Sequence, residues 1–139
     1  MAIFLNNKVG FKLNTVDLSD HVTAFTLNRQ SDQLEVTAMG DTAHKFVTGL
    51  SADTITVSFL NDTAAASVLA TLQAAYGTTV AFSALQDKVA AVSATNKLYT
   101  GTLLVDNLTD INGAVADEAM IDITFTCNST TVLASTGTF

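Results

Sequence analysis

Residues 53–60 read Asp53-Thr54-Ile55-Thr56-Val57-Ser58-Phe59-Leu60. Ile55, Val57 and Phe59 alternate strictly with Thr54, Thr56 and Ser58, and a period of two puts the first set on one side of a pleated strand and the second on the other. A half-buried strand of an antiparallel sheet is the simplest structure with that pattern. The same alternation recurs on both sides of it. Upstream, 11–16 is a short, partial run. After the turn-like Asp17-Leu18-Ser19-Asp20, the run 22–29 sets Phe25 and Leu27 against Thr26 and Asn28. Ser31-Asp32 reads as a tight turn into Leu34 and Val36, so these two runs are expected to form a hairpin. Residues 39–52 have no clean period and are long for a connection, which makes them a candidate functional loop.

Downstream, Asn61 or Asp62 is placed to cap a helix over 63–76, with Val68, Leu69, Leu72 and Tyr76 as its apolar stripe and Gly77 as its stop. Strands are expected at 79–85, 98–107 and 119–126, with a small-residue loop over 86–96 and a turn at Asn112-Gly113. With no repeat and no composition break, the expectation is one domain, 1–139. It is mostly β: an antiparallel β-sandwich or partial barrel with one flanking α-helix. Residues 1–10 and 127–139 are set apart as terminal arms. The latter is uncharged and Ser/Thr-rich, either a loose tail or an arm that docks on a neighbour through Val132, Leu133 and Phe139.

Composition narrows the function classes. The chain has 139 residues, 13 acidic and 6 basic, for a formal charge of -7. All six bases lie in residues 1–97, which carry a net -2, whereas 98–139 hold five acids and no base. Gripping nucleic acid takes clustered Lys and Arg, which are missing here. Only 14% of residues are charged and 48% are hydrophobic, against roughly a quarter charged in an ordinary domain. A surface of small uncharged groups suits packing against protein, and Thr-rich β structure would give the same composition. The uncharged run 63–86 is interrupted by Gln73, Gly77, Thr78 and Thr79, so no spanning helix is expected. The start lacks the pattern of a secretory signal, and the lone Cys127 gives no disulfide framework.

Catalytic chemistry is thinly represented. His21 and His44, with Asp17, Asp20 and Asp41, follow no known site spacing, and too few ligands converge for a metal. At the end of a strand, Cys127 reads as a small buried hydrophobe rather than a nucleophile. Glycine-rich nucleotide loops and nucleophile elbows are lacking. The Asn-x-Ser/Thr triplets at Asn61, Asn107 and Asn128 are what an Asn- and Thr-rich chain makes by chance. No catalytic residue, metal or cofactor is expected. A small-molecule-binding β-barrel carrier is the alternative to a structural role.

Three ordered stretches carry a more specific signal. Val-Asp-Leu-Ser-Asp-His-Val begins at residue 16, Val-Thr-Ala-Met-Gly-Asp-Thr occupies 36–42, and Gly49-Leu50 precedes the Thr-alternating strand. An acidic cap, an Ala-rich helix and Ala-Val-Ser-Ala-Thr-Asn-Lys-Leu-Tyr-Thr-Gly at 91–101 follow in order. Together these resemble the tail tube (major tail) proteins of long-tailed bacteriophages over about 17–125. Lys97 stands where that family often has proline.

The resemblance implies a non-enzymatic virion protein, made in the host bacterial cytoplasm. Its hexameric rings would stack into a tube that conducts DNA out of the particle without binding it. It further implies tape measure, tail terminator and baseplate or distal tail proteins as partners, and no membrane. By the same resemblance Gly40, Asp41, Thr42, His44, Lys45, Phe46 and Val47 would form a loop reaching the adjacent ring, and the termini would clasp neighbours. An acidic chain repeated around a ring would repel phosphate from the lumen. Glu35 with Thr37, and Asp122 with Thr124 and Thr126, are candidates for the lumen face, unless they simply face solvent.

Overall fold

A computed structural model describes residues 7–139. Ten strands and one α-helix follow in chain order. They are β1 (Gly10–Leu13), β2 (Val16–Asp17), β3 (Val22–Asn28), β4 (Ser31–Glu35), β5 (Phe46–Ser51), β6 (Thr54–Leu60), α1 (Val68–Ala75), β7 (Thr79–Leu85), β8 (Leu98–Leu104), β9 (Met120–Cys127) and β10 (Val132–Ala134). Every strand pairing is antiparallel, and the main sheet runs β2-β1-β7-β8-β9-β6-β3, with β10 added to β8.

The main sheet folds over on itself. β8 meets β9 only at Leu103↔Cys127 and Leu104↔Thr126, whereas β6 pairs β9 from Thr54↔Thr126 to Leu60↔Met120. That narrow joint is a corner. Across it the halves β2-β1-β7-β8 and β9-β6-β3 face each other, with the Phe11 ring 5.2 Å from Phe25 and 6.1 Å from Phe59. The result is a β-sandwich closed along one side, as the alternation predicts.

Ile55, Val57 and Phe59 are buried together with Phe11, Leu13, Ile121, Ile123 and Phe125. Each fully buried side chain of this size contributes about 1.5–3 kcal/mol. Helix α1 closes one flank with Val68, Thr71, Leu72 and Ala75 buried, the i, i+3, i+4, i+7 stripe of an amphipathic helix.

Four local expectations are corrected. First, α1 begins at Val68 rather than 63. Asp62 holds the preceding turn in another shape, its carboxylate accepting from the Ala64 amide at 2.9 Å and the Ser67 hydroxyl at 2.8 Å. Ala66 there has φ +60. Tyr76, expected on the apolar stripe, is exposed just past the helix end, where Gly77 takes φ +78. Second, Asn112-Gly113 makes no tight hairpin. Strand β9 pairs β6 along its length, so the chain crosses from Leu104 to Met120 through a long connection that turns at Ala114–Asp117. Third, β8 ends at Leu104, short of 107, although Val105 still bonds Thr78 and Gly77.

The fourth correction matters most. β3 does not pair with β4. It pairs β6, and β4 pairs β5 in a separate two-stranded ribbon with register Leu34↔Val47 and Glu35↔Phe46. The expected loop 39–52 is therefore half strand. Ser31-Asp32 is the start of β4 and not a turn. Of the expected N-terminal arm, residues 1–6 lie outside the described residues, and Gly10 already belongs to β1.

Candidate functional site

Every residue of β4 and β5 is exposed. Among the described residues no third strand joins the ribbon and nothing covers either of its faces. Alternation puts Leu34, Val36, Lys45 and Val47 on one face and Gln33, Glu35, Phe46 and Thr48 on the other. Leu34, Val36, Phe46 and Val47 are each about half exposed, and Leu50 is 80% exposed. An isolated hairpin in water is marginal, and a contiguous apolar surface on a projecting arm marks an interaction site.

Its free end is nonetheless well built. Gly40 takes φ +90, a backbone angle that suits glycine. The Asp41 carboxylate accepts from the Ala38 amide at 2.8 Å and pairs with Lys45 Nζ at 2.8 Å. The Lys45 bond and the Ala38 amide hold the Asp41 carboxyl below its ordinary value. His44 Nδ1 lies 2.8 Å from Glu35 Oε2, and its ring centre is 6.3 Å from that of Phe46. Lys45 N donates to Thr37 Oγ1 at 2.9 Å. All seven residues expected in the inter-ring loop are on this arm.

The five lumen candidates divide. Glu35 and Thr37 lie on the projecting hairpin, whereas Asp122, Thr124 and Thr126 sit on the uncovered side of the main sheet. There the registers stack Thr26, Thr56 and Thr124 in one row, Asn28, Thr54 and Thr126 in the next, and Ala24, Ser58 and Asp122 in a third. But for Ala24 these three rows are polar, with one carboxylate, Asp122, and a fourth row on the same side pairs Leu60 with Met120. The Thr56 and Thr124 hydroxyls are 3.4 Å apart.

The C-terminal segment meets its own chain. β10 pairs β8 at Val132↔Thr100, Leu133↔Tyr99 and Ala134↔Leu98. Phe139 lies with its ring centre 4.5 Å from Lys12 Nζ. A Cβ on Gly10 would come within 3.0 Å of the Phe139 ring, so glycine makes room for it. Val132 stays exposed, and Leu133 and Phe139 are half-buried.

The motif residues have structural employment. Leu18 is buried, Ser19 Oγ accepts from the Phe11 amide at 2.9 Å, and His21 Nε2 lies 2.9 Å from Asp62 Oδ2. In the 91–101 stretch Asn96 is 4% exposed. Its side-chain amide donates to the Asp87 carbonyl at 2.9 Å and its oxygen accepts from the Asp87 amide at 3.1 Å, which shapes the loop before β8. At Gly101 a Cβ would lie 3.1 Å from the Phe82 and Ser129 side chains, which would have to give way by a few tenths of an ångström.

One buried group lay beyond sequence reasoning, and Cys127, expected to be a small buried hydrophobe, is half-buried. Asp53 is 3% exposed and accepts from the backbone amides of Gln30 and Thr131. Burial pushes its carboxyl up, and the donors from Thr131 and Gln30, with the Arg29 charge, outweigh that and hold it below the ordinary value. Burial, helped by the Asp53 charge, pushes the Cys127 thiol up to about 11. That favours the neutral thiol at pH 7.

Among the described residues no group of three or more His, Cys, Asp and Glu is arranged to hold a metal, and no helix is long and apolar enough to cross a membrane. A solvent-open groove of about 380 Å³ runs past Val9, Phe25, Leu27, Ala84 and Tyr99. The interior itself is filled by Phe11, Phe59 and Phe125, so the side chains a carrier would turn toward a ligand pack on one another.

No protein-family model and no curated protein matches the chain. Solved structures do. A chain of the virion of a native gene transfer agent particle superposes with a TM-score of 0.72 at 11% identity, over 95% of this chain and 99% of that one. A chain of the tail of an empty gene transfer agent particle, refined helically with C6 symmetry, gives 0.61 at 11% identity over 82% of each. The fold of this chain is therefore one found in a chain of that virion and in a chain of that tail.

Proposed function

We propose that the protein is a structural subunit of a phage-type tail, polymerising as stacked hexameric rings into a tube that conducts DNA. The observation that carries this reading is the hairpin 31–51, whose apolar side chains on both faces have no cover among the described residues. A neighbouring subunit would bury them. The C6 symmetry of the tail whose chain shares this fold supports a six-fold ring. In the ring, the hairpin reaches the adjacent ring, and the Thr-rich face of β3, β6 and β9 with Asp122 is the candidate lumen lining. A threonine surface with sparse carboxylates lets duplex slide without gripping it. In the assembled tail, tape measure, terminator and distal tail proteins bound the tube, and Val132, Leu133 and Phe139 offer further contacts to neighbours. The role is non-enzymatic.

Subunits of net charge -7 repel one another, so apolar burial drives assembly and salt assists it. Raising ionic strength from 0.1 M to 1 M shortens the screening length from about 10 Å to about 3 Å. Negative-stain microscopy over a concentration and salt series should show rings of one diameter, or tubes with a central channel, increasing with salt. Tubes that dissolve on adding salt would contradict the electrostatic part. Particles that stay single throughout, even when seeded with preformed tail ends, would contradict the whole.

A further inference from the structure

One buried carboxylate sits where two projecting segments leave the sandwich. Asp53 Oδ1 accepts from the Gln30 amide at 3.1 Å, at the foot of the β4–β5 hairpin, and Asp53 Oδ2 accepts from the Thr131 amide at 3.0 Å, at the foot of β10. Its backbone serves the same junction, since the Asp53 carbonyl accepts from the Cys127 amide at 3.0 Å, where β9 ends. Around it the Ala52 amide donates to the Gln30 carbonyl at 2.6 Å, and Thr130 Oγ1 donates to Ser51 Oγ at 3.0 Å. Partners 23 and 78 residues away in sequence thus meet on one side chain that is 3% exposed.

A buried carboxylate is retained only where donors compensate its lost hydration. Here the donors are backbone amides of two different segments. Neither foot can shift without leaving part of that charge unpaired in a dry setting. From this geometry we infer that Asp53 is a positioning residue that fixes the angle of the hairpin to the sandwich and couples it to the seating of the C-terminal strand. Displacing Thr131, as a neighbouring subunit would by drawing β10 off β8, leaves Asp53 Oδ2 unpaired, and the carboxylate turns toward water and draws its Oδ1 bond to Gln30, with the hairpin foot, out of place. Subunit contacts at one arm then set the reach of the other. The inference rests on the assembly role proposed above for the hairpin.

The test is amide hydrogen exchange on the free subunit, with residual dipolar couplings to read hairpin orientation. Thr131→Pro removes one donor to Asp53 and also restricts Thr130, whose hydroxyl bonds Ser51 of β5, so Thr130→Val serves as its control. Exchange at Gln30, Ala52 and the Ser51 end of β5 should rise about tenfold, and the hairpin couplings should depart from those of β6 and β9. Asp53→Asn, which keeps one acceptor but loses the other, should loosen both feet. A chain ending at Thr131 loses β10 and with it the seat of Thr131, so its hairpin should loosen as in Thr131→Pro. Core amides of β6 and β9 report whether each variant is folded. Unchanged hairpin exchange and orientation in folded Thr131→Pro, or in the folded shortened chain, would overturn the coupling. Because the readout is on the free subunit, failure of the wild type to build tubes would count against the assembly role and leave the coupling standing.

Discussion

Two antiparallel ribbons in this molecule both carry large apolar side chains and have opposite fates. In β6 and β9, Ile55, Val57, Phe59, Ile121, Ile123 and Phe125 are at most 2% exposed, covered by the opposite half of the sandwich. In β4 and β5, Leu34, Phe46 and Val47 stay about half exposed and Leu50 more so. Alternation says that a strand has two unlike faces, and it does not say what covers the apolar one. Where the cover is intramolecular, the pattern reports stability. Where the cover lies on another molecule, it reports assembly.

The largest expected effect separates the ribbons outright. Phe59→Ala or Phe125→Ala should cost about 3–5 kcal/mol of subunit stability in urea denaturation. Phe46→Ala should stay within about 0.5 kcal/mol and still block polymerisation seen by light scattering. A loss at Phe46 comparable with that at Phe59 would mean that the hairpin packs on its own body.

Next come the contacts that hold the arms. Asp53→Asn should cost about 1–3 kcal/mol, the range for leaving a buried amide unpaired. The carboxyls of Asp53, Asp17 and Asp62 are all held below their ordinary 3.8. For Asp17 the opposing burial is outweighed by Ser19 and Lys88, and for Asp62 the Ala64 amide and Ser67 lead. A depressed folded-state value means that the folded state binds fewer protons than the unfolded one below 3.8. Their stabilisation is complete above the ordinary value and is lost as pH falls through the lowered ones. Asp53→Asn should therefore flatten part of the acid limb of stability against pH, and an unaltered acid limb would contradict the assignment.

Smaller effects follow on the body. Gly101→Ala should cost about 1 kcal/mol, the low end for overpacking, by crowding Phe82 and Ser129; a neutral result in thermal unfolding would show that β8 has slack there. Thr124→Val, on the uncovered polar face, should change subunit stability by no more than about 0.5 kcal/mol. A large change would mean that something within the subunit covers that face.

The parts of the fold legible in the sequence were those whose partners the pattern itself demands. Asp53–Leu60 and its companions 79–85 and 119–126 carry a buried face, and their strands fall within a residue or two of the expected bounds. The pairing of β3 was not legible. Val22–Asn28 suits β4 or β6 equally by alternation, and the turn chemistry of Ser31-Asp32 favoured the nearer one. Phe46–Ser51 buries no face against the described residues, its alternation is irregular, and it reads as loop. The helix start was lost because Asp62 serves a turn held by Ser67 and His21 rather than capping a helix directly. Asp53 could not be identified at all, since its role depends on amides brought from far along the chain. The expected arm residues, Gly40 to Val47, were legible as a group through their motif, while Glu35 and Thr37 fell on that arm rather than beside Asp122.

The most direct test of the central claim, that the bare hairpin is an assembly element, is electron microscopy of wild type beside Phe46→Thr/Val47→Thr under polymerising salt. Threonine keeps strand preference and removes apolar surface from both faces of the hairpin. The account predicts tubes for the wild type, and for the variant single subunits or unstacked rings with unchanged thermal stability. Ordinary tubes from the double variant would contradict it.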